Sequence, residues 1–144
     1  MGQRTLVVVP RSDGRYDCRH AHWGVTVDPL AQSTPLASGL PASAVLDELD
    51  AGYDRLTVLG GTPRWYCVCW LDPTLSDHDD IALARTDDPG ELRDRWTEAK
   101  SCAVDAVAHG VAPDAARAAL LLGLARRADA LYHPGDASFL RDDG

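Results

Sequence analysis

The chain has 144 residues, of which 45% are hydrophobic and 25% charged. That is the composition of one folded domain, not of a disordered chain, and a core of this size holds without disulfides or a metal. The longest apolar run, Ala118–Ala125, is far short of the ~20 residues that span a bilayer.

The formal charge is −8, and its make-up is one-sided: 19 Asp against 3 Glu, and 13 Arg against one Lys, Lys100. Short carboxylates keep a surface hydrated, and long ammonium stems are avoided. The bias predicts a halophile with a salt-filled cytoplasm, where the Debye length falls to about 3 Å. A GC-rich genome is the other source of the same bias. Residues 1–25 carry a balance of +2 and residues 72–98 a balance of −6. The N-terminal third is therefore the least acidic surface, although +2 falls short of a nucleic-acid footprint. Met1-Gly2-Gln3-Arg4 leads into a strand-like run without the apolar stretch of a signal peptide, and Leu6 stands where a myristoylation signal has Ser or Thr. A cytoplasmic location with no membrane partner is expected.

In chain order, Thr5–Val9 and Arg15–Val25 read as strands joined by the turn Ser12-Asp13-Gly14. Thr26–Pro41, rich in Pro, Ser and Gly, reads as a loop. Ser43–Ala51 has Val45, Leu46 and Leu49 at helical spacing, closed by Gly52. Tyr53–Leu59 and Arg64–Leu71 form a second hairpin around Gly60-Gly61-Thr62-Pro63, Asp72–Asp80 is an acidic loop, and Ile81–Arg85 is a weak fifth strand. Asp88-Pro89-Gly90-Glu91 has the N-cap, proline and glutamate of a helix start, and that helix runs to His109 with Gly110 behind it. Pro113 opens a last helix reaching about Leu131. Its apolar face mixes Ala115, Ala116, Ala119, Leu120, Gly123 and Leu124, small enough to let a partner helix or sheet come close. Arg117, Arg126 and Arg127 on it are balanced by Asp114 and Asp129.

The expected fold is a single α+β domain over 1–144. An antiparallel sheet of about five strands in two hairpins is packed by about three helices, two of them C-terminal. Residues 1–85 are mostly sheet, 88–131 a helical pair and 135–144 a tail.

The densest chemistry is Cys18-Arg19-His20-Ala21-His22-Trp23-Gly24. On a strand, Cys18, His20 and His22 share one face, as do Cys67 and Cys69 on another. If those strands are neighbours, His20 and His22 with Cys67 and Cys69 can hold zinc. All three residues of the first strand cannot serve one ion, because Cys18 to His22 spans about 13 Å. The competing reading makes the cysteines small core residues and the histidines hydrogen-bonded sheet residues. The four cysteines, Cys18, Cys67, Cys69 and Cys102, are expected to be reduced. Trp65-Tyr66-Cys67-Val68-Cys69-Trp70 reads as a central strand buried on both faces, and Trp23 and Trp96 as core anchors. Asp77-His78-Asp79-Asp80 resembles a hard-cation loop but lacks the Gly and distal Glu of an EF-hand, and reads as solvated acid. The sequence holds no Walker A, G-x-G-x-x-G, G-x-S-x-G or H-E-x-x-H motif.

Met1-Gly2-x-Arg4-x-Leu6-Val7, Asp13-Gly14-x-Tyr16 and His22-Trp23-Gly24 resemble the opening of a family of small haloarchaeal proteins. More distantly, they are similar to bacterial and phage proteins that begin Met-Gly-x-Arg and carry Trp-Asp-Gly after the second strand. Here Gly24 follows Trp23 directly, without that Asp. The resemblance covers residues 1–25, implies a halophilic setting and carries no activity.

The leading expectation is a non-catalytic module acting through a protein partner or copies of itself. The second is a zinc-binding protein or metal-dependent hydrolase on His20, His22, Cys67 and Cys69. The third is a nucleic-acid or ribosome accessory protein using the N-terminal hairpin.

Overall fold

A computed structural model describes residues 4–22, 34–49, 52–60, 62–77, 80–132 and 140. The β-branched run after Arg4 becomes β1 (Arg4–Pro10), which turns back into β2 (Tyr16–His22). Arg11 N donates to Arg15 O at 2.8 Å, and Gly14 takes φ 80°, the left-handed conformation that favours glycine.

The segment read as a loop contains a strand. β3 (Thr34–Leu40) pairs antiparallel with β2 through a register that slips on either side of Cys18. Its composition conceals it because its order comes from the neighbour: the Asp17 carboxylate accepts Gly39 N at 2.9 Å and Ser38 Oγ at 2.8 Å. Pro35 is tolerated because β3 is the sheet edge.

α1 (Ala42–Glu48) then carries the chain over the sheet to β4 (Arg55–Val58), which lies parallel to β1. β5 (Arg64–Trp70) and β6 (Ile81–Arg85) continue antiparallel. α2 (Pro89–Ala108) starts as its sequence foretells, with the Asp88 side chain accepting Glu91 N at 3.0 Å. α3 (Pro113–Arg127) stops short of the expected Leu131, because β7 (Ala130–Tyr132) pairs with the open edge of β6.

The result is α+β with three helices, two of them C-terminal, but the expected five-stranded antiparallel sheet is corrected. Seven strands lie in the order β3-β2-β1-β4-β5-β6-β7, and the β1–β4 pair is parallel. The α1 crossover forces that pair, since a chain that passes over the sheet re-enters in the direction it started. The sheet separates two cores. Leu6, Val8, Cys18, Leu56, Tyr66 and Leu83 face α1. Cys67, Cys69, Ala82 and Ala84 face α2 and α3, meeting Leu92, Trp96, Leu120 and Leu124. Among the described residues no helix is long and apolar enough to cross a membrane.

Candidate functional site

The strands that carry the sequence-derived zinc ligands are not neighbours. β1 and β4 stand between β2 and β5, which sets the two strands about 14 Å apart. His20 and the two cysteines also lie in different layers. His20 pairs across from Leu6 on the α1 face, whereas Cys67 and Cys69 face α2. The condition for a joint His20, His22, Cys67 and Cys69 site is therefore not met. The backbone of His22 pairs with Arg4. Trp23 lies outside the described residues.

The cysteines are placed as core groups. Cys18, Cys67 and Cys69 are buried, and Cys102 is exposed. Burial, with the carboxylates of Glu48 and Asp17, pushes the Cys18 thiol up to about 11. Burial likewise holds the Cys69 thiol well above its ordinary range. Its neighbour Cys67 is the more acidic of the two, because the Cys69 thiol hydrogen-bonds to it and Arg93 and Arg55 lie near. Tyr66, Cys67, Val68 and Cys69 are all buried, so β5 is the two-sided central strand its sequence describes, and Trp96 is the anchor expected of it.

Charge on the less acidic hairpin is engaged internally. Arg11 lies 3.3 Å from both Asp13 and Asp17, Arg15 donates to Gly39 O, and Arg4 sits over the Tyr53 ring at 4.6 Å. The acidic loop is likewise tied up. The Asp72 carboxylate accepts Thr74 N, Thr74 Oγ1 and Asp77 N at 2.7–2.9 Å, which holds it far below the usual carboxylate range. Lys100 donates to the carbonyls of Trp70 and Asp72 while lying over the Trp70 ring. Arg117 does feel the Asp114 charge on its own helix, as the sequence suggested, but its bonded partner is Asp80. It grips Asp80 through two bonds of 2.8 and 2.9 Å and holds that carboxyl below its ordinary value. His78 and Asp79 lie outside the described residues.

An open site lies between α2 and α3. The α3 face read as one apolar surface is divided by the fold. Ala116, Leu120 and Leu124 are buried, while Ala115, Ala119 and Gly123 form one wall of a groove of about 440 Å³. The opposite wall is Ala99, Cys102, Ala103 and Ala106 of α2, and Trp96 and Leu120 line the groove with them. Residues at helical spacing of three and four build each wall, and their small side chains leave the room. At one end Arg95 and Arg127 border the groove, where it adjoins a more polar cavity of about 380 Å³ that also reaches Asp88 and Glu91. Arg95 lies 3.6 Å from Glu91. Among the described residues Arg127 makes no ion pair.

The sequence marked the α3 wall but missed the α2 wall. Its signal was available in the small residues at positions 99, 102, 103 and 106. The groove offers apolar surface, close approach and cationic charge at one end, and no nucleophile–base pair faces into it. A comparison of the chain with protein-family models, curated proteins and solved structures finds no match to any of the three.

Proposed function

We propose that this chain is a halophilic, cytoplasmic interaction module whose contact surface is the α2–α3 groove, and that the occupant is a helix of a protein partner. The observation that carries this reading is the groove itself: an apolar slot lined by Ala, Gly and Cys, left open on a chain of formal charge −8. Exposed apolar surface of this kind marks contact sites. A helix about 10 Å across lies between two helices whose facing residues are small, with its apolar stripe inward. Arg95 and Arg127 select an acidic residue at one end of it. The resemblance of residues 1–25 to haloarchaeal proteins and the excess of Asp over Glu support the saline setting.

Cys102 makes the test direct, because it lines the groove and is the exposed cysteine. A bulky maleimide on Cys102 is expected to abolish proteins captured from native lysate by the full chain. Leu36→Arg on the distant β3 edge keeps them. An identical set of captured proteins with the labelled and unlabelled chain overturns the assignment of the surface. For the setting, the melting temperature is expected to rise from dilute buffer to about 2 M KCl, as salt screens carboxylate repulsion. A flat or falling trend overturns it.

A further inference from the structure

We propose that Thr5, Arg55 and Thr57 form a binding site for a halide ion on the α2 side of the sheet, where β1 and β4 run parallel. The site is separate from the α2–α3 groove and stands whether or not that groove is a contact surface.

Its first support is a set of enclosed donors with nothing to bond. Thr5 is 3% exposed and Thr57 1%. Thr5 Oγ1, Thr57 Oγ1 and Arg55 Nε are shielded from solvent, and none has a hydrogen-bond partner among the described residues. Buried polar atoms are almost always bonded, because an unmet one costs the full desolvation of its group. Arg64 Nε is also unmet, but it lies on the α1 face, where the same guanidinium donates to Leu140 O at 3.2 Å. The other three gather in one place. In the β1–β4 register Thr5 stands opposite Arg55, and Val7 opposite Thr57. Thr5, Arg55 and Thr57 therefore share the face that Cys67, opposite Arg55 on β5, turns toward α2. Neighbouring strands lie about 4.8 Å apart and alternate residues about 6.7 Å, so one small ion is within reach of all three side chains.

The second support is charge. The nearby carboxylates are engaged elsewhere. Asp54 lies 2.7 Å from Arg93 and accepts Arg4 N at 3.0 Å. Asp88 accepts Glu91 N as the cap of α2, and Glu91 lies 3.6 Å from Arg95. Among the described residues Arg55 makes no ion pair with any of them. A Cβ on Gly90 would stand 3.4 Å from Arg55 Nη2, so the guanidinium lies against the first turn of α2, where helix N–H groups add partial positive charge. The Cys67 thiol, made more acidic first by its bond with Cys69, is lowered further by Arg93 and Arg55.

The choice of ion follows from the donors. Arg55 Nε can only donate, and a threonine hydroxyl can donate as well. A water molecule serves the hydroxyls and leaves the guanidinium without a counter-charge, whereas an anion answers both. Ala21 opposite Thr5 and Val7 opposite Thr57 are buried and apolar, which fences the patch closely. That favours a small spherical ion over a phosphate or carboxylate, which takes several oxygens' worth of donors.

The test uses bromide and chloride on the full chain. Crystals soaked in sodium bromide are expected to show an anomalous peak in contact with Thr5 Oγ1, Thr57 Oγ1 and Arg55 Nε. In solution the protein is expected to broaden the chloride NMR line. The double variant Thr5→Val with Thr57→Val, and separately Arg55→Met, should weaken that binding at least about tenfold. Valine keeps the shape of threonine, so the double variant is expected to stay folded by circular dichroism. Bromide confined to the outer surface, or an ordered water at the three donors, overturns the proposal. So does a chloride line that wild type and the double variant broaden equally. A bromide peak at the site without variant-sensitive broadening is binding at crystal concentration only, and overturns it too.

Discussion

On the α1 side of the sheet, Leu6, Leu56, Val58 and Tyr66 are fully buried, and large side chains of four strands fill the layer between them. On the α2–α3 side the strands present Cys67, Cys69, Ala82 and Ala84, and the helices answer with Leu92, Trp96, Leu120 and Leu124. Small sheet residues let α2 sit close to β5. That leaves α3 with a narrow buried stripe, Ala116, Leu120 and Leu124, and an exposed remainder. Both layers are apolar, yet one is filled from within the chain and the other is filled only in part. Hydrophobic content alone does not separate a stabilising core from a contact surface. The distinction lies in whether large side chains oppose each other or small ones face open space.

The largest test of this contrast is Leu56→Ala on the α1 side, expected to cost about 2–5 kcal/mol in denaturant unfolding because the closed layer cannot collapse around the void. A cost below about 1 kcal/mol would show that this side is not close-packed.

A smaller effect comes from Cys18, in the same layer. Its folded-state pKa of about 11 stands above the ordinary 9.0, so the native chain keeps a proton that the unfolded chain releases. Its contribution is whole below about pH 9 and is lost as pH rises toward about 11, with a slope of up to roughly 1.4 kcal/mol per pH unit. Cys18→Val should flatten that alkaline limb in urea titrations run across the window. An unchanged limb would place the titrating group elsewhere.

The smallest effect is expected in the groove. Ala119→Leu adds bulk where there is room, so stability should move by no more than about 0.5 kcal/mol while capture of the partner is lost. A loss of about 1–3 kcal/mol would mean that the slot is a packed core after all.

Local chemistry was legible in the sequence, and distant pairing was not. The Gly14 turn, the Asp88 cap and the buried β5 strand each follow from residues within a few positions of one another. β3 and β7 escaped because their order comes from partners far along the chain, Asp17 for Gly39 and Arg85 for Asp129. The parallel β1–β4 pair escaped for the same reason: the α1 crossover, not composition, sets its direction. Alternation placed Cys67 and Cys69 on one face correctly, but strand order lies outside its reach, and strand order is what separates them from His20. The small-residue wall of α3 could be read, and its division into a buried stripe and an open one depended on where α2 came to rest.

Asp129 N donates to Arg85 O at 2.8 Å, and Ala130 pairs with Arg85. Residues 86–129 thus leave and rejoin the sheet at one point, as a long excursion between two adjacent strands. Thr86 N and Asp129 N hold its two ends through Trp65 O and Arg85 O, and the closure entropy of the excursion grows only slowly with its length. In hydrogen exchange the amides of α2 and α3 are expected to open before those of β1, β4 and β5. A neighbour that docks on them tightens this unit first, and its grip registers as slowed exchange at the periphery before the sheet feels anything.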